Sequence, residues 1–96
     1  MEKMLSDKQR EALLILQEEC AEVTQAVSKI FRFGADNFKP GKPLTNTEHL
    51  ETELGDLLCM IEILYDQGLI RAEEIEQAMQ AKREKLKIYS RIYHES

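Results

Sequence analysis

The sequence predicts an all-α protein, a helical bundle of three main helices. Two observations carry that prediction. Apolar residues recur at three- and four-residue intervals through three long segments, and each segment starts or stops on capping residues. Nothing alternates with period two over a useful length, so no strand is expected.

The first helix is predicted from about Asp7 to Phe33. Ser6 is a good N-cap, Gln9 stands at the capping-box position, and Gly34 is a natural stop. The segment from Gly34 to Asn46 holds Gly34, Gly41, Pro40, Pro43, Asn37 and Asn46, so it reads as a loop. A structureless connection of that length is a place to suspect function. The second helix starts near Thr45 to Thr47, where Thr45 and Glu48 have capping-box spacing. It ends around Asp66, with Gly68 as the stop. The third begins near Ala72, with Glu73 and Glu74 in its first turn, where the helix dipole favours acids, and continues to about Arg91. No internal repeat or low-complexity tract interrupts them.

A length of 96 residues suits one small domain covering 1–96, and burial in so short a chain is modest enough that oligomerisation is expected to complete the bundle. Charged residues are 32% and hydrophobic ones 43%, as in soluble globular proteins. No apolar run approaches the ~20 residues that span a bilayer, and the polar N-terminus does not read as a secretory signal. Cys20 and Cys59 fit no metal or redox spacing. Free thiols in a reducing cytosol are the simplest reading, so a cytoplasmic protein is expected. The net charge of −5 argues against a general nucleic-acid binder. Against that acidic total, Lys82, Arg83, Lys85, Lys87 and Arg91 stand with Glu84 alone at the C-terminal end. An acidic body with a basic last helix suits a metal in one place and an anion nearby.

Function shows where charges break the helical pattern. At about 100° per residue, Leu16, Cys20, Val23, Ala26, Val27, Ile30 and Phe31 define an apolar arc on the first helix. Glu19 falls inside it, Glu22 lies on its edge, and Glu18 points further out. On the second helix Leu50, Leu54, Leu57, Met60, Ile61, Ile63 and Leu64 form the arc, and Glu53 and Asp56 fall within it. Acids at this spacing are common on solvated helix faces. Two pairs, each on a face that should be buried, violate core rules twice. Four converging carboxylates are tolerable only with protonation, salt bridges or a cation, and a hard-oxygen set suits Mg²⁺ or Mn²⁺.

On the third helix Ile75, Met79, Leu86, Tyr89 and Tyr93 form a stripe with Lys82 in its middle and Lys85 on its flank. These lysines either snorkel from the stripe or meet substrate phosphates. His49, one turn before Glu53, is either a core histidine or a second-shell partner of a metal-bound carboxylate. Phe31, Phe33, Met60 and Met79 read as core.

The same residues carry a family pattern. Glu18-Glu19-Cys20-Ala21-Glu22 has the form EExxE, and Glu53-Leu54-Gly55-Asp56 has the form ExxD. With "EECAEVTQAVSKIFRFG", "NTEHLETELGDLL" and a "KREKLKIY" tail, residues 13 to 90 resemble the MazG-like, all-α NTP pyrophosphatase superfamily. The segments look like those of its short phage and bacterial members. The resemblance implies a Mg²⁺-dependent enzyme that converts a nucleoside or deoxynucleoside triphosphate to the monophosphate and pyrophosphate. It implies Glu19, Glu22, Glu53 and Asp56 as metal ligands, and assembly as a homodimer or homotetramer with sites near subunit interfaces. A phage-encoded chain would work in the host cytoplasm. The interval between Glu22 and Glu53 is longer than in many members, which bears on loop contacts rather than on the ligands.

The expected reaction is attack of water on the α-phosphorus of the metal-bound triphosphate, with pyrophosphate leaving. Glu19 or Glu22 would orient the water, Lys82 and Lys85 would meet the leaving diphosphate, and Asn37 or Phe38 of the loop would contact the base. Two other readings remain: a phosphoribosyl-ATP pyrophosphohydrolase-like enzyme, and a non-catalytic helical adaptor or structural bundle. A di-iron bundle is not supported, since it normally needs two Glu-x-x-His motifs and none is present.

Overall fold

Three helices, in a computed structural model that describes residues 4–37, 41 and 43–94, account for the regular structure: α1 (Asp7–Phe33), α2 (Asn46–Asp66) and α3 (Ala72–Tyr89). Among the described residues there is no strand, and the all-α expectation holds.

Local chemistry sets the boundaries. Ser6 accepts from the Gln9 backbone N–H while the Gln9 side chain accepts from the Ser6 N–H, closing a capping box at α1. Thr45 and Glu48 close a second one at α2. After α2, Gly68 takes a positive φ of 72°, and the Gly68 and Leu69 N–H groups donate to the carbonyls of Tyr65 and Leu64. At α3 the expected end near Arg91 falls at Tyr89. Ser90 turns extended there, its hydroxyl donating back to the Leu86 carbonyl and accepting from the Ile92 N–H.

α1 and α2 form the hairpin, the one helix pair that packs extensively. Ala12, Met60 and Leu64 are its buried centre, with Leu13, Ile15, Leu16, Ile63, Leu69 and Ile70 against them. The small residues Ala12 and Ala26 let the helices approach closely, and both are buried.

Both ends of the hairpin are tied. At the loop end, the buried Asn46 side chain donates to the Gly34 carbonyl at 2.9 Å and its N–H to the Asn37 carbonyl. Thr47 donates to the Ala35 carbonyl through both N–H and hydroxyl. At the other end the Gln9 side chain donates to the Gln67 carbonyl, and the Gln67 side chain reaches the Lys8 carbonyl. These ties fix the register, so the middle of α1 meets the middle of α2.

The third helix does not join that packing. It buries no residue and is not packed extensively against either partner. The molecule measures 49 × 39 × 18 Å with a radius of gyration of 16.9 Å, against about 12.5 Å for a compact chain of this length. This corrects the core expectation for three residues. Met60 is buried, but Phe31, Phe33 and Met79 are exposed, because the single chain supplies one layer of packing and their outward faces have nothing to meet.

A candidate metal centre on the helical hairpin

The fixed register brings Glu19 of α1 opposite Glu53 and Asp56 of α2. One carboxylate oxygen from each lies within 4.8 Å of the others, a spacing that a single oxygen-coordinated divalent cation bridges with little rearrangement. Glu19 and Glu53 are half-buried between the helices, and Asp56 is exposed at the edge. Glu22 is exposed and is not in the close group, though its charge is felt at Glu19. Glu18 is exposed, as its phase requires.

Electrostatics mark Glu19 as the strained member. Its partial burial pushes its carboxyl above the usual range. The negative charges of Asp56, Glu53, Glu22 and Glu18 push it further the same way. Glu19 Oε2 is buried and has no hydrogen-bond partner. The other such atom among the described residues, Gln67 Oε1, belongs to the tie at the far end of the hairpin. A carboxylate with an orphaned buried oxygen, set beside two further carboxylates, is the arrangement a cation relieves. The donor set is all oxygen, which fits Mg²⁺ or Mn²⁺ better than a soft metal.

His49 Nε2 lies 3.2 Å from Glu53 Oε1, one turn along the same helix. The contact fixes one oxygen of a carboxylate whose side chain is only 13% exposed. The other sequence-selected residues stand apart. Lys82 and Lys85 are exposed on α3, away from the hairpin core. The Asn37 side-chain amide donates to the Phe33 carbonyl, a bond that helps close the loop end. Phe38 lies outside the described residues.

Sequence reasoning passed over Lys29. It is half-buried on α1, and by helical phase it falls on the Glu22 side of the hairpin, two turns further along. Among the described residues it makes no ion pair. The available signal was its phase relative to Glu22, which a search for acids alone does not use.

One family model, described as the MazG nucleotide pyrophosphohydrolase domain, matches residues 8–87. No curated protein and no solved structure matches the chain.

Proposed function

The chain belongs to the MazG nucleotide pyrophosphohydrolase domain family. From that premise we propose that residues 1–96 are one catalytic domain hydrolysing a nucleoside or deoxynucleoside triphosphate to the monophosphate and pyrophosphate, in the cytoplasm and with Mg²⁺. The observation that carries the reading is the close group of Glu19, Glu53 and Asp56 with its orphaned buried oxygen. Glu19, Glu22, Glu53 and Asp56 are the residues that would hold Mg²⁺, with Mn²⁺ as a substitute. When bound, the ion offsets phosphate charge and makes water a better nucleophile at neutral pH.

The chain's own residues do the rest. Glu22 lies outside the close group and is exposed, so it has an oxygen to spare for orienting the water that attacks the α-phosphorus. His49 is a positioning residue that holds Glu53 in one orientation. Lys82 and Lys85 meet the leaving diphosphate. Because α3 lies off its own hairpin, these lysines act on the site of a neighbouring copy in a homodimer or homotetramer. Asn37 and Phe38 border the base.

The test is a screen for Mg²⁺-dependent pyrophosphate release over common and damaged NTPs and dNTPs, beside the Glu53→Gln protein. Release by the parent and none by the variant is expected. Release from phosphoribosyl-ATP alone would move the enzyme to that neighbouring activity, and no release from any nucleotide would favour the helical adaptor.

A further inference from the structure

We infer that the hairpin binds the nucleotide in one polarity, with Lys29 on the α-phosphate and Phe33 stacked on the base. The inference rests on the proposed reaction and adds two residues and a direction to it. It follows from what shares one side of the hairpin. Turning from Glu19, Glu22, Lys29 and Phe33 lie roughly 40–80° round α1. Turning from Glu53 in the same sense, His49 and Asp56 lie roughly 40–60° round α2. In an antiparallel pair, flanks reached by the same sense of rotation fall on one side. Along that side Lys29 stands about 10 Å beyond Glu22, and Phe33 about 16 Å beyond it. The bond from the Asn46 side chain to the Gly34 carbonyl sets the first turn of α2 beside the end of α1. Lys29 and Phe33 therefore lie between the carboxylates and the loop end.

Both residues have a face to spare. Lys29 is half-buried, and its helix neighbours at ion-pair spacing are Gln25, Ala26, Arg32 and Phe33, none of them acidic. Among the described residues it makes no ion pair. A lysine that buries its stem and keeps an uncompensated charge is placed to take an anion. Phe33 is 51% exposed. The Arg32 guanidinium covers one face of its ring, 4.9 Å from the centroid. The exposed remainder is open to a second flat partner.

The order along this side is carboxylates, ammonium, aromatic ring. A metal-bound nucleotide presents the matching order of phosphates at the metal, α-phosphate, base. Side chains on a helix lean toward its N-terminus. On α1 that carries the Lys29 ammonium toward Glu22 and the Phe33 ring toward Lys29. The α-phosphate then comes between Lys29 and the carboxylates, where an ammonium offsets the charge that gathers on its oxygens as water attacks. The reverse polarity sets the leaving diphosphate against Phe33 and the base against the carboxylates, and loses both contacts. Lys82 and Lys85 keep the leaving diphosphate, while Lys29 serves the phosphate that stays with the monophosphate.

The test is calorimetric titration, with Mg²⁺, of the α,β-methylene analogues of the common NTPs and dNTPs, which bind without being cleaved, beside inorganic pyrophosphate. Lys29→Met and Phe33→Ala should each weaken the best-bound analogue by about tenfold or more and leave pyrophosphate within about twofold. Lys29→Arg should recover most of the loss. Kinetics should split the two roles, with Lys29→Met lowering kcat by about tenfold or more and Phe33→Ala acting mainly on KM. Because Phe33→Ala also strips the Arg32 stack at the end of α1, Phe33→Trp provides a second measurement. The chain has no tryptophan of its own, so the fluorescence of that variant should be quenched by the analogue and not by pyrophosphate. Analogue affinities within about twofold of the parent, equal losses for pyrophosphate, or an unquenched Phe33→Trp would overturn this inference and leave the reaction standing. Binding of no analogue by the parent would overturn the reaction as well.

Discussion

Glu19 is half-buried beside Glu53 and Asp56 and carries an orphaned carboxylate oxygen. Its carboxyl is held above the ordinary value of 4.5 by burial and by the acids around it. A group that binds its proton more tightly when folded favours the folded state below its unfolded value, and that advantage is lost as pH rises through the folded value. In metal-free protein, Glu19→Gln should therefore raise the urea midpoint, by a larger margin at pH 7 than at pH 5; equal margins would contradict this account. Catalysis should respond in the opposite sense. With saturating Mg²⁺, amides at Glu19, Glu22, Glu53 and Asp56 should each reduce pyrophosphate release by orders of magnitude, and Glu18→Gln should stay near the parent. An active Glu53→Gln beside a dead Glu18→Gln would place the metal on the wrong face. The grouping of Glu19, Glu53 and Asp56 was legible because helical phase is a local property: Glu19 and Glu53 stand out on a wheel before any partner is known. The half-burial of Lys29 was not, since a lone lysine at the edge of an arc looks like any solvated base until the second helix is in place.

The helix ends were also legible, because caps are local chemistry. Ser6 with Gln9 and Thr45 with Glu48 are readable as pairs, and both boxes form. Thr45→Ala should cost about 0.5–2 kcal/mol of stability in denaturant titrations, the ordinary value of a lost N-cap. Glu48 sits below its ordinary pKa because the Thr45 backbone N–H, and then the Thr45 hydroxyl, stabilise its charged form. Its contribution is present above 4.5 and lost as pH falls through its folded value, so Glu48→Gln should flatten that part of the acid limb. The role of Asn46 was hidden. In sequence it is one more turn residue, while in the fold its buried amide ties the start of α2 to the end of α1. The destination of α3 was hidden for a different reason. Its stripe shows that Ile75, Met79 and Leu86 face something, but a stripe does not say whose surface. If Lys82 meets substrate phosphate, Lys82→Ala should raise KM or lower kcat by about tenfold or more. Kinetics within about twofold would return it to a snorkelling role.

At the scale of the whole molecule, the fold class and the order of elements were readable, and the shape was not. Apolar arcs wider than the ~100° that one contact needs announced surplus burial capacity. Which part of each arc meets the chain's own second helix, and which part stays open at Phe31 or Leu58, depends on contacts between segments distant in sequence. The thinnest dimension of the molecule, 18 Å, is less than two helix diameters of about 10–12 Å each. A slab that thin has a sparse interior: among the described residues its buried apolar side chains are Ala12, Ala26, Met60 and Leu64. If the proposed homodimer or homotetramer forms, deep protection against hydrogen exchange would come in part from a neighbour. In that case amides around Met60 and Leu64 should exchange faster as the protein is diluted, because dilution would strip the second copy from the hairpin. Rates independent of concentration would mean that one slab shelters its own centre.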